Sequence, residues 1–273
     1  MQVQDELSWE VVVVDNASTD RTQDVISEYS GRIPLRGIIE QQVGLAIARN
    51  TALSASRGHM LLLTDDDCTV APDWLSVAVN LLQAEPMQLI GGRVELGDPL
   101  DLPLAIKTSR TPGVLADPGG LWGFLHGANL AFGRCVVARA GGFDPRFGAG
   151  SRLRSAEDVD FAYRVLQAGI RIAYEPALVV HHFHGRRGAG TWYKQVGDHA
   201  YGFGAMAAKY ALRGDTNLIR ALYWDMRSTI RLCLSEPKEW RRLPAKLRSI
   251  LGCAQFIRIR KQMHGQAEME TQR

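Results

Sequence analysis

Long apolar runs are missing from this 273-residue chain. No stretch reaches the roughly 18 apolar residues that mark a membrane-crossing helix, so an integral membrane protein is not expected. Cysteine is scarce as well. Cys68, Cys135, Cys233 and Cys253 lie far apart and form no C-x-x-C pair, which argues against a disulfide scaffold and a structural zinc site and fits a reducing compartment. A strong charge of one sign is absent, the net charge being +3, so no nucleic-acid partner is expected. Neither G-x-G-x-x-G nor G-x-x-x-x-G-K-[ST] occurs. A bound phosphate would therefore need a metal rather than a glycine nest. The start, MQVQDELSWE, is polar and acidic, unlike a secretory leader. The expectation is a cytoplasmic chain, at most touching the inner face of a membrane.

What the chain does contain is an alternation of strand and helix signals. Trp9 to Val14 is apolar with four successive valines and reads as a strand. A helix to about Tyr29 follows, then a strand over Leu35–Ile39, a helix over Gly44–Ala55 and a strand over Met60–Leu63. That order predicts an α/β fold built on a mostly parallel sheet flanked by helices. A helix entered at Pro72 and a strand over Leu89–Leu96 come next, the strand carrying Gly91–Gly92 as a weak point or a close approach. Residues 97–120 are an irregular Pro- and Gly-rich segment. Helices over 133–140 and 156–168 are predicted, then short strands over 170–174 and 177–180, and helix from Thr191 to about Arg260. A soft boundary near Gly190 divides a domain of residues 1–190 from a helical C-terminal extension of residues 191–273.

Four polar clusters sit at element ends. Asp15–Asn16 closes the valine strand, where a carboxylate can meet a nucleobase or ribose, or simply cap the next helix. Asp65, Asp66 and Asp67 follow the Met60–Leu63 strand. Three crowded carboxylates repel one another unless a cation or donors are brought in, and hard oxygen ligands suit Mg²⁺ or Mn²⁺. Glu157–Asp158 opens a helix, a rigid place from which to present a general base, and also a place where acids are common for dipole reasons. His181, His182 and His184 follow the last strand signal. Imidazole can join carboxylates on Mn²⁺, and in an extended chain His181 and His182 point to opposite faces, so at most one is expected to face the site.

In this order, VVVVDNASTDRT, VGLAIARN, LLLTDDD, HGANLAFGR, GGFDPRF, AEDVDFAYRVLQAG and VVHHFHG resemble the inverting family 2 glycosyltransferases with a GT-A fold. The resemblance covers about Trp9 to Gly188. It implies transfer of a sugar from a nucleotide-diphosphate sugar, UDP- or dTDP-linked, to a hydroxyl of a glycan or lipid-linked acceptor. It implies Asp158 as catalytic base with Glu157 beside it. Asp15, Asn16, Arg49, Asp65, Asp66 and Asn129 are implied at the nucleotide sugar. The implied metal ligands are Asp67, Asp65 and His181, holding Mn²⁺ or Mg²⁺. Members usually begin with an earlier strand and helix, of the type VSVVIPTYNR, not found here. The expectation is thus an upstream start or a shortened copy, and the alternative function is a non-catalytic nucleotide-sugar or glycan-binding protein. The basic, amphipathic C-terminal helices suggest peripheral membrane contact or a homo-oligomer.

Overall fold

The computed structural model describes residues 7–271, and they form two compact units. The first comprises residues up to 145 and 157–187, and the second comprises 146–156 and 188 onward. The second unit resumes close to Gly190 and takes in residues 146–156 as well. Residues 146–156 leave the first unit and return to it, which no composition shift announces.

In the first unit, β1 (Val11–Asp15) leads into α1 (Thr22–Ser30), β2 (Leu35–Ile39), α2 (Leu45–Ala55) and β3 (Met60–Thr64). Then come β4 (Cys68–Val70), α3 (Trp74–Ala84), β5 (Gln88–Leu96), β6 (Gly113–Val114), β7 (Asn129–Gly133), α4 (Arg134–Ala140), α5 (Glu157–Gln167) and β8 (Arg171–His182). β1 and β2 pair in parallel as a two-stranded sheet. The other six strands form a second sheet in the order β3-β7-β5-β8-β4, with β6 added to β8. Only β5 and β8 run parallel in it; β3 with β7, β5 with β7, β4 with β8 and β6 with β8 are antiparallel. The architecture is thus mixed α/β, with helices against the sheets, rather than mostly parallel. β4 and β6 were not expected because two- and three-residue strands carry no periodicity. β7 was not expected because its sequence, NLAFG, follows an irregular stretch and is apolar without alternation. All five of its residues are buried, as befits a strand held between two neighbours.

One core layer lies between α3 and the sheet. Trp74, Ala78 and Leu82 from α3 meet Ile90, Val94, Ala131, Leu178 and Val180. Burying each large aliphatic there contributes roughly 1.5–3 kcal/mol. The Gly91–Gly92 pair marks a close approach. A Cβ on Gly92 would lie 2.2 Å from Asn129 Nδ2 and 2.3 Å from the Leu178 carbonyl oxygen. The register of β5 against β8 shifts just there, between Gly92 and Arg93. The shift is what joins the two expected short strands into one β8.

In the second unit, α6 (Ala189–Ala211), α7 (Asn217–Ser235) and α8 (Leu243–Thr271) carry the helical pattern expected from Thr191 onward. α6 packs along α8. Residues 146–156 join them: Phe147 stacks on Phe256 with ring centroids 6.3 Å apart, and Arg154 pairs with Asp198 at 2.8 Å. No described helix is long and apolar enough to cross a membrane.

Candidate active site

Arg49 is the hub of the first unit's polar centre. α2 delivers it, with Ala46 and Leu53 buried on the same helix face. One guanidinium nitrogen donates to Glu157 Oε1 at 3.0 Å. The other donates to Asp65 Oδ1 at 3.0 Å and to the Gly127 carbonyl at 3.2 Å. The guanidinium also lies over the Phe143 ring, 5.4 Å from its centroid. A planar fork suits such divided recognition where a lysine would not.

Gly127 ties this hub to the α5 start. Its N–H donates to Asp158 Oδ2 at 2.9 Å, while its carbonyl accepts from Arg49. A Cβ there would lie 2.9 Å from Asp158 Oδ2 and 3.0 Å from both terminal nitrogens of Arg49. Glycine is thus required for the carboxylate and the guanidinium to close over one peptide. Asp158 Oδ1 accepts the Val159 N–H at 2.8 Å, and an ionised carboxylate offers further lone pairs beyond these two bonds. The residue before the helix, Ala156, is held at φ +74°, a left-handed conformation costly for a residue with a side chain.

Three carboxylates, Asp65, Glu157 and Asp158, thus share one buried cation. Glu157 feels this most. Burial first, then the Asp158 charge, raises its pKa to about 7 against the opposing pull of Arg49. A buried carboxyl of this kind holds a proton near neutrality although it is ion-paired.

The acidic triplet continues toward the histidines. Asp67 Oδ1 lies 3.1 Å from His182 Nε2. The hydrogen bond to His182 holds the Asp67 carboxyl below its usual range. Burial works against charge on His182, but Asp67 and the Ala105 carbonyl outweigh it, so its pKa is raised. His182 Nδ1 is 3.1 Å from the Ala105 carbonyl, so Nδ1–H donates and Nε2 is the atom turned to Asp67. Ala105 itself is left-handed, at φ +51°. The His126 ring, one residue before Gly127, lies 5.9 Å from His182. The acidic strand end, the histidine and the acidic helix start are therefore linked through adjoining residues within one unit.

Several expected site residues stand elsewhere. His181 is exposed and pairs across from Thr69, on the face opposite His182. It borders a cleft with Arg93, Arg110 and Glu95. Strand alternation thus gives the Asp67 contact to His182 rather than to His181. Asp65, also expected as a ligand, has its Oδ1 held by Arg49. Among the described residues, the cluster whose ligand atoms lie within 4.8 Å of one another is Asp67, Cys68 and His182. Asn129, implied at the nucleotide sugar, opens β7. It is fully buried, its Oδ1 accepts from Trp74 Nε1 at 2.9 Å, and its Nδ2 donates to the Arg93 and Leu178 carbonyls at the β5–β8 register shift. Asn16 is likewise engaged, donating to the Glu40 and Gln42 carbonyls and accepting from the Gly44 N–H at 2.7 Å. Asp15 accepts from the Ser18 N–H at 2.9 Å and from Gln23, and these bonds lower its pKa. Asp66 is exposed. Sequence reading singled out neither His126 nor the Ala105 carbonyl. The histidine directly before Gly127–Asn129 was the available signal for the first; nothing marked the last.

Asp67 supplies a hard oxygen and His182 a borderline nitrogen, which fits Mn²⁺ better than an all-oxygen Mg²⁺ shell. Burial, first, and the neighbouring carboxylates push the Cys68 thiol up to about 11.

Residues 2–103 match the profile described as Glycosyl transferase family 2. Glycosyltransferase AglE of Haloferax volcanii is 34% identical over 93 residues, 33% of this chain and 31% of the relative. The pre-mycofactocin glycosyltransferase of Mycobacterium tuberculosis is 29% identical over 150 residues, 52% of this chain and 30% of the relative. The chain thus spans about a third of the length of these curated relatives. The mannosyltransferase PcManGT from Pyrobaculum calidifontis, solved with GDP-Man and Mn²⁺, superposes with a TM-score of 0.58 at 20% identity, covering 91% of this chain and 77% of that one. That likeness is one of fold. The matched segment, residues 2–103, is thus similar to glycosyl transferase family 2, and the relatives that share it are glycosyltransferases.

Proposed function

We propose that this chain transfers a sugar from a nucleotide-diphosphate sugar to a hydroxyl of a glycan or lipid-linked acceptor, with inversion and with a divalent cation. The observation that carries the reading is the linkage of Asp67–His182 to Asp158 through His126 and Gly127. A carboxylate–imidazole pair and a carboxylate base on neighbouring peptides are what a single displacement at an anomeric carbon needs. Asp158, anchored by the Gly127 N–H, takes the proton of the acceptor hydroxyl. Glu157 and Arg49 hold the α5 start and keep Asp158 in place. Asp67 and His182 would hold the cation, whose charge offsets that of the departing nucleoside diphosphate. Asp15 and Asp65 lie at the ends of β1 and β3 and remain the residues assigned to the nucleoside.

The donor base is open to direct comparison, since the solved neighbour carries GDP-Man whereas the sequence motifs suggest UDP or dTDP. Thermal shift of the chain with UDP-, dTDP- and GDP-sugars, with and without Mn²⁺, tests the binding half. Asp158→Asn tests the chemical half: donor binding persists while transfer falls by at least about a hundredfold. Near-normal turnover in that variant would overturn the base assignment. Donor binding in the native chain with neither transfer nor donor hydrolysis would favour the non-catalytic binding protein instead.

A further inference from the structure

The second unit carries a surface that the transfer reading does not use. α7 buries Leu218, Thr229 and Cys233 on one side. Its other side is not the polar face that an ordinary amphipathic helix turns to solvent. Tyr223 is 57% exposed, Trp224 57% and Leu234 71%, with Ile219 and Ile230 also exposed. At about 100° per residue, Ile219, Tyr223, Ile230 and Leu234 fall within an arc of about 60°. Arg220, Arg227 and Arg231 fall along one flank of that arc, and all three are exposed. Trp224 closes the flank, with Arg227 lying over its ring at 5.5 Å. The one acidic residue of α7, Asp225, is turned away from the stripe, and both its oxygens accept from Lys246 Nζ at 2.9 Å.

We infer that this face of α7 lies on an anionic lipid surface. An apolar stripe in solvent marks an interaction site, and the charge pattern selects the partner. Three arginines flank the stripe, and the one carboxylate of α7, Asp225, faces away from it and is paired with Lys246. A second copy of the same face would bring arginines against arginines. A lipid leaflet with acidic headgroups takes the aliphatic side chains below the headgroups and the guanidinium groups at phosphate level. Tyrosine and tryptophan, apolar with one polar end, suit that same depth. The inference stands apart from the catalytic reading, because no α7 residue belongs to the candidate active site.

The test is flotation of the full chain with vesicles of phosphatidylcholine alone or with phosphatidylglycerol added. The chain is expected to float with the anionic vesicles and to be released by salt. Partitioning onto them should exceed that onto neutral vesicles by roughly tenfold or more. Arg220→Glu, Arg227→Glu and Arg231→Glu combined should abolish the preference, while the matching lysine variant keeps it. Ile230→Ser with Leu234→Ser should weaken binding with the helical circular dichroism unchanged. Asp67→Ala should float like the native chain, which separates this inference from the active-site reading. Absence of binding, equal binding to neutral vesicles, or a dimer in solution that Leu234→Ser dissociates without any vesicle binding would each overturn it.

Discussion

The two acidic clusters of the first unit contain the same side chains in different solvents. At the α5 start, Glu157 is buried and three carboxylates share Arg49. At the end of β3, Asp67 is 36% exposed and meets His182, with the Cys68 thiol beside it. On the proposed reading, the first cluster holds the fold and presents the base, and the second is open enough to receive a cation. Burial, more than residue type, decides which carboxylate holds the fold and which is free for chemistry.

Removing the hub breaks the comparison most severely. Arg49→Ala leaves buried carboxylates without their cation and is expected to cost about 3–5 kcal/mol. Arg49→Lys restores the charge but not the fork and should recover only part of it. Urea denaturation measures both. A loss in Arg49→Ala no greater than that of an exposed ion pair, about 1 kcal/mol or less, would show that the α5 cluster is no more interior than the β3 end.

The next effect reads the proton that burial places on Glu157. Its folded pKa of about 7 lies above the ordinary carboxylate value of 4.5. The protonated form is the one the fold prefers, so the contribution is fully present below about pH 4.5 and is lost as pH rises through about 7. Glu157→Gln mimics the protonated form. The stability difference, variant minus native, should therefore grow between pH 5 and pH 8, by a few kcal/mol at most on the order set by such a shift. A difference independent of pH would mean that Glu157 is ionised throughout, fully compensated by Arg49.

How far the sequence carried this picture depended on the range of the interaction involved. β1, β2, β3 and the helices between them were readable because four valines, the Met60–Leu63 run and the spacing of Leu45, Ala48 and Ala52 are local patterns. The mixed sheet was not readable, because β7 enters between β3 and β5 by a choice of partner, not by any local signal. Asn129 illustrates the same limit. The family resemblance implied a ligand contact for it, and the structure sets its amide in a backbone irregularity at Gly92 and Leu178, 37 and 49 residues away. Arg49 and Glu157, 108 residues apart, were each singled out but could not be paired.

A smaller effect tests the open cluster. Asp67→Asn removes the anionic oxygen while leaving the shape, and Mn²⁺ affinity of the full chain, followed by electron paramagnetic resonance of the free ion, should fall by at least about tenfold. Stability should change little, since Asp67 is more than a third exposed. Unchanged Mn²⁺ affinity would return the metal role to Asp65, and the two clusters would then divide the work differently.

The smallest effect concerns the neighbouring histidines, and its value lies in the contrast. Adjacent residues in a strand face opposite ways, and the pairing of β4 with β8 sets Cys68 across from His182 and Thr69 across from His181. Only His182 has its Nδ1 fixed by the Ala105 carbonyl, so only there is Nε2 oriented without further cost toward Asp67. His182→Gln should therefore weaken Mn²⁺ binding to about the extent of Asp67→Asn, while His181→Gln leaves it unchanged. Equal losses in the two variants would require β8 to twist or slip at its last residues, bringing both rings to one face. That would undo the register on which the separation of the two faces rests.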